Sequence, residues 1–131
     1  MNSKIILVIG LALLFMTSCT SEEEKTTQEF IGHAQNLHID ELKNMSTEDT
    51  RFYIKMFMES LVSLGDEKSI SQLKEVASTL ECSGEDKNRK CTFFDENGKK
   101  QSFEIVLVEG YDDESEERLY VDIDKKYFLG D

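Results

Sequence analysis

Residues 91–109 read CTFFDENGKKQSFEIVLVE, two runs of apolar and β-branched residues on either side of a polar knot. Within the knot, Asn97-Gly98 is the pair that adopts positive φ at least cost. It predicts a two-residue type I′ hairpin with those residues at its centre. That register sets Phe94 opposite Gln101 and Thr92 opposite Phe103. Phe103, Ile105 and Leu107 then share a face with Phe94, while Cys91 and Phe93 lie on the other face with Val106 and Val108.

Downstream, Leu119, Val121 and Ile123 alternate with Tyr120, Asp122 and Asp124, the pattern of a half-buried strand over 117–124. The connecting segment from Gly110 to Glu117 is strongly acidic. Carboxylates are calcium's preferred ligands, but the glycine placement and spacing of a calcium loop are missing, so the segment reads as a solvated loop. Upstream, strands are expected over roughly 78–83 and 89–95, joined by the turn-rich SGEDKNRK. Flanking strands of this kind bring Cys82 and Cys91 together across a hairpin if both face the same side. Closing a loop of about ten residues in this way is worth roughly 2.5–3 kcal/mol.

The first half of the chain has helical periodicity. Phe30, Ile31, Ala34 and Leu37 form one stripe between Thr26 and Leu37, and Ile39, Leu42 and Met45 continue it after a bend. Asn36 or Asp40 can start the second piece, and Ser46 can cap a third helix by accepting from the Asp49 amide. That third helix, RFYIKMFMESLVSLG (51–65), is apolar around most of its girth. Phe52, Tyr53, Met56, Phe57, Leu61 and Leu64 make one face, and Ile54, Met58 and Val62 make a second. Such a helix lies across a sheet, or its second face lines a ligand cavity or a dimer contact. Gly65 ends it. Ile70, Leu73 and Val76/Ala77 predict a short fourth helix.

The N-terminus carries different information. Lys4 precedes the apolar run Ile5–Met16, IILVIGLALLFM, and polar Thr17, Ser18, Thr20 and Glu22 follow too soon for a permanent membrane span of roughly 20 residues. The segment has the shape of a signal peptide. Met16-Thr17-Ser18-Cys19 resembles the bacterial lipobox, which implies cleavage after Ser18 and lipidation of Cys19. A nucleophilic role for Cys19 is disfavoured, because Glu22, Glu23 and Glu24 would raise its thiol pKa. The expected organisation is therefore a signal over residues 1–18, a flexible acidic tether over 19–25 and one domain over 26–131. Thr20-Ser21-Glu22-Glu23-Glu24 also looks like the export signal of surface lipoproteins, with a plain solvated tether as the alternative.

The whole chain has a formal charge of −12 and becomes one unit more negative when Lys4 leaves with the signal. That charge repels nucleic acid and anionic membrane surfaces. With Cys19 assigned to lipid, Cys82 and Cys91 are the remaining pair in an oxidising compartment. A metal site on these cysteines would need His33 and His38 as well. The histidines are five apart, off a common helical face, and read as helix surface. No metal or other cofactor is expected.

Helices first and an antiparallel meander of about four strands afterwards define an α+β domain. The order, with Cys82-Ser83-Gly84-Glu85, Lys90-Cys91-Thr92-Phe93, Asp95-Glu96-Asn97-Gly98-Lys99 and Val106-Leu107-Val108-Glu109, resembles small Bacteroidota lipoproteins of unknown function. Those have a cystatin-like, or nuclear-transport-factor-two-like, cone. The likeness implies helices packed on one sheet face. A lipid tether followed by one compact domain without catalytic motifs is expected to bind a protein or small molecule without chemistry, with a homodimer allowed. The lipobox likeness with the acid run points to the cell envelope, at the outer membrane and exposed on its surface. No catalytic residue is assigned, because neither a nucleophile elbow nor a phosphate loop nor an acid/base pair of recognisable spacing is present. The alternative is a small-molecule carrier or isomerase-like enzyme. It needs an internal cavity lined by Phe57, Met58, Phe103 and Ile105, with a buried polar group such as Tyr53 or Glu59.

Overall fold

The computed structural model describes residues 21–130; the expected signal segment over 1–18, the lipobox-like residues and Cys19 lie outside them. Helix α1 spans Glu22–Gln35. It begins inside the stretch expected to be a tether, and the physical cause is local. Ser21 caps it, its hydroxyl accepting from the Glu24 amide at 3.2 Å, and Glu22, Glu23 and Glu24 fill the first turn, where carboxylates favour the helix dipole. Ser-x-x-Glu is a capping-box spacing, so the acid run starts the fold rather than preceding it.

Helix α2 spans Ile39–Asn44. A longer helix follows, made of α3 (Glu48–Tyr53), a π-helical turn over Ile54–Glu59 and α4 (Ser60–Leu64). Thr47, not Ser46, holds its N-cap position. Ser46 is buried and donates instead to the Leu42 carbonyl at 2.6 Å. The wider π turn, with its i→i+5 bonding, suits residues spaced by four. Ile54 is buried and Met58 and Val62 pack against the core, whereas Phe52, Met56, Phe57, Leu61 and Leu64 are exposed. Helix α5 covers Glu67–Ala77 and is capped by Asp66, which accepts from the Ser69 amide at 2.7 Å.

Strands β1 (Glu81–Glu85), β2 (Asn88–Phe94), β3 (Lys100–Tyr111) and β4 (Glu117–Ile123) form an antiparallel meander in the order β1-β2-β3-β4. The domain is thus α+β. A last helix, α6 (Lys126–Leu129), had no counterpart in the periodicity.

The β2–β3 register differs from the expected one by a single residue. Phe94 faces Lys100, Phe93 faces Gln101 and Cys91 faces Phe103. The turn is the reason. Gly98 N–H donates to the Asp95 carbonyl at 2.9 Å and Asp95 N–H to the Lys99 carbonyl at 2.9 Å, while Gly98 alone in the loop has positive φ, +76°. This is the three-residue loop with a left-handed glycine, not the two-residue type I′ form. Asp95 Oδ1 holds it by accepting from the Asn97 and Lys99 amides, each at 2.9 Å. One residue of slip exchanges every side chain between faces. Cys91 and Phe93 therefore join Phe103, Ile105 and Leu107 on the core side, and Phe94 is exposed.

Two polar connections lock helices to sheet. The chain at Met45–Thr47 lies beside edge strand β4, with Val121 N–H donating to the Met45 carbonyl and Thr47 N–H to the Val121 carbonyl, so part of that edge is covered. Buried Thr50 accepts from the Ile123 amide at 2.8 Å, and Thr47 donates to Asp122 at 2.5 Å. At the other side, Arg89 is 5% exposed. It donates to Glu24 at 2.7 Å, to the Gly84 carbonyl at 3.1 Å and to the Asp86 carbonyl at 3.0 Å, tying the first turn of α1 to the β1–β2 hairpin. A buried guanidinium is tolerated when its donors are matched in this way.

Candidate functional site

Between the helices and the inner sheet face lies a half-open cavity of about 560 Å³. Phe30 and Ala34 of α1, Leu42 of α2, and Ile54 and Met58 of the π turn form one part of its wall. Leu73, Val76 and Ala77 of α5, followed by Leu80, form another, and Phe93, Phe103 and Ile123 rise from the sheet. Helix α6 adds Tyr127 and Phe128. No residue of α5 is fully buried, so its apolar stripe borders the space without filling it.

Aromatic contacts frame the cavity. Phe128 stacks on Tyr53 at 5.3 Å and on Phe57 at 6.1 Å between ring centroids. Phe103 meets Phe93 at 6.0 Å and Tyr127 edge-on at 6.1 Å. Offset and edge-to-face pairs of this kind hold rings in place beyond their burial alone. Asp124 starts α6 by accepting from the Lys126 amide at 2.9 Å, and this turn carries Tyr127 and Phe128 to the wall.

Of the residues expected to line a cavity, Met58 and Phe103 do so. Tyr53 and Phe57 stand outside the lining and buttress Phe128. Ile105 is completely buried in the core. Glu59 is turned away, paired with Lys43 at 2.9 Å; the hydrogen bond that Lys43 donates to Glu59 is the main cause that raises the Lys43 ammonium above its ordinary pKa. Among the described residues no carboxylate, histidine, lysine, arginine or cysteine lines the cavity, and Tyr127 is the one ionisable side chain there. General acid–base work needs a positioned donor and acceptor of matched pKa, and this wall supplies no such pair.

The polar residues of the wall are Gln101, Ser102 and Tyr127; on β3 the Gln101 side chain shares the core face with Phe103, whereas exposed Ser102 alternates to the outer face. Gln101 is oriented from below by the hairpin loop, its Nε2 donating to Asp95 Oδ2 at 3.0 Å. That bond is the first cause holding the Asp95 carboxyl below its ordinary value, with the Lys99 amide next. The same aspartate thus shapes the turn and positions the amide at the cavity. Chemically, the arrangement can hold an apolar body by dispersion and burial and orient it through the Gln101 amide.

Cys82 and Cys91 face each other directly across β1 and β2, with sulfurs 2.01 Å apart. The bond fastens edge strand β1 to the sheet. Among the described residues no group of three or more His, Cys, Asp or Glu side chains is arranged to hold a metal ion, and no helix is long and apolar enough to cross a membrane. No protein-family model, curated protein or solved structure is significantly similar to this chain. The functional reading therefore rests on the geometry of this domain and on the N-terminal sequence.

Proposed function

We propose that this chain is a lipid-anchored protein of the bacterial cell envelope whose domain binds an apolar small molecule, without chemistry, in the cavity between its helices and its sheet. The observation that carries the binding half is the cavity itself. About 560 Å³ falls inside the range of ligand sites, roughly 300–1,000 Å³, and among the described residues its wall is apolar apart from Gln101, Ser102 and Tyr127. A π turn at its edge, supplying Ile54 and Met58, adds support, because such turns recur at functional sites.

The envelope half rests on Ile5–Met16 and the Met16-Thr17-Ser18-Cys19 lipobox likeness. A bonded Cys82–Cys91 pair suits an oxidising compartment. The outer membrane, with surface exposure, remains the assigned address. The order of helices then meander supports the cystatin-like cone as the finer description of the fold.

Native mass spectrometry of the chain purified from its own source tests the binding half. A bound mass that leaves on organic extraction is expected; an empty protein that also takes up no apolar probe refutes it. Replacing Cys19 with Ala is expected to abolish metabolic lipid labelling, and unchanged labelling refutes the anchor. A second reading, an interaction domain that pairs with a protein or another copy, is favoured by one observation: Phe52, Met56, Phe57, Leu61 and Leu64 stand exposed along the long helix. A ligand-free dimer in the same native spectrum would select it.

A further inference from the structure

Helix α1 ends on a left-handed residue that is not glycine. Leu37 has φ +52°, its N–H donates to the Ala34 carbonyl at 3.2 Å, and the His38 N–H donates back to the His33 carbonyl at 2.9 Å. These two bonds define a Schellman motif, which brings the side chains three residues inside and two residues beyond the helix end together, ordinarily as an apolar contact. Here both are imidazoles. His33 Nδ1 and His38 Nδ1 stand 3.3 Å apart, with ring centroids separated by 5.5 Å.

We propose that this pair is a bidentate site for a divalent transition ion of the Zn²⁺ or Cu²⁺ class. Two imidazole nitrogens bound at about 2.05 Å to one tetrahedral ion stand roughly 3.3 Å apart, the separation already held by the backbone turn. Five-residue spacing on a continuous helix would separate the rings; the left-handed break between them aims them at one point. Each ring then presents Nδ1 to the ion and keeps its proton on Nε2. Imidazole selects this class of metal, and the negative charge of the chain concentrates cations near it. His33 is half-buried and His38 exposed, and no third His, Cys, Asp or Glu among the described residues completes a closed set. Water fills the other positions, so the site is open and exchangeable rather than structural. Occupancy clamps the α1–α2 corner, whose two helices supply Phe30, Ala34 and Leu42 to the cavity wall. The assignment stands independently of what the cavity binds.

Isothermal titration of the tag-free full chain with Zn²⁺ tests it. One ion per chain is expected, weakened at least tenfold by His33→Ala and equally by His38→Ala. Saturating Zn²⁺ should raise the melting temperature of the parent and of neither variant. Electron paramagnetic resonance of the Cu²⁺-loaded parent reads the ligands without any substitution, with two imidazole nitrogens expected. Absence of binding at pH 7.5, unchanged affinity in either single variant, or a spectrum with fewer than two imidazoles would overturn the assignment.

Discussion

Filling the cavity from one of its own walls tests whether the space is real and whether it is used. Ala34 is 8% exposed on α1 and borders the cavity; Ala34→Leu pushes three further carbons into it without disturbing helix propensity much. At about 0.8 kcal/mol for each buried methylene, the gain is about 2.4 kcal/mol. Restricting the leucine side chain costs about 0.5–1 kcal/mol, which leaves a stabilisation of about 1.5 kcal/mol. If the interior were already packed, the same carbons would force strained rotamers and shift backbone, a destabilisation of about 1–3 kcal/mol. The two outcomes differ in sign, so the experiment decides between them. Urea unfolding provides the readout. With a slope of about 1.5 kcal/mol/M the midpoint should rise by about 1 M, and Ala77→Leu from α5 should act in the same direction. The amount of co-purifying ligand should fall as stability rises, the usual exchange of function for packing. A midpoint lowered by either substitution would refute the cavity, and an unchanged bound mass in a stabilised variant would refute its use.

The acid run at the start of the domain has an energetic role that can be measured. Glu24→Gln leaves buried Arg89 facing an amide instead of a carboxylate. It should cost about 2 kcal/mol, below the 3–5 kcal/mol of a fully buried pair because Glu24 reaches solvent; a loss under 0.5 kcal/mol would return residues 22–25 to the status of a tether. Two glycines should separate backbone strain from collision. At Gly98 a Cβ meets nothing within 4 Å, so Gly98→Ala carries only the left-handed conformation, a cost of about 1 kcal/mol. In Gly84→Ala the same atom comes 2.5 Å from the Asn88 carbonyl oxygen, and a loss several times larger is expected in the same urea assay. Acid should also weaken the fold. Asp66, Asp95 and Glu109 are held below their ordinary pKa values, first by the Ser69 amide, the Gln101 side chain and Lys87 respectively. Their stabilisation is present above about pH 5, where the unfolded carboxyls are largely ionised, and is lost as pH falls through the lower folded values. Urea midpoints should therefore be level from pH 7 to 5 and drop towards pH 3, and a midpoint unchanged at pH 3 would contradict the assignment.

The α+β class was legible because it depends on periods. Leu119, Val121 and Ile123 alternate as they must on a half-buried strand, and all three are buried; Phe30 and Ala34 keep a helical spacing and both reach the core. The cavity was legible only in part. Met58 and Phe103 were found through their elements, but the wall also needs Leu73 from α5 and Phe128 from a four-residue helix too short to show a period. Juxtaposition of residues that far apart in sequence is a tertiary property. Glu59 illustrates the limit: a carboxylate on the right helix, turned outward because Lys43 offers it a partner at 2.9 Å.

The remaining departures share one physical origin. A residue in the left-handed region costs an L side chain about 1–2 kcal/mol, and local pattern does not say where a chain will accept that cost. Asn97-Gly98 invited two such residues, yet the loop uses Gly98 alone, because Asp95 can cap the three-residue form from within. That choice moves Cys91 and Phe93 to the core face. The β3–β4 loop repeats the solution without glycine: Asp112 Oδ1 accepts from the Glu114 and Glu116 amides at 2.9 Å, and Ser115 takes φ +62°. Leu37 does the same at the end of α1, and in doing so converts two histidines that helical spacing kept apart into neighbours at 3.3 Å. An aspartate three residues before a left-handed position, bonded to the amides on either side of it, is the signal that reads both loops correctly. It explains why a serine can stand where the other loop has a glycine. Leu37 has no such aspartate. Its conformation follows instead from the next helix, since Ile39 and Leu42 must turn back onto the core that Phe30 and Ala34 have begun.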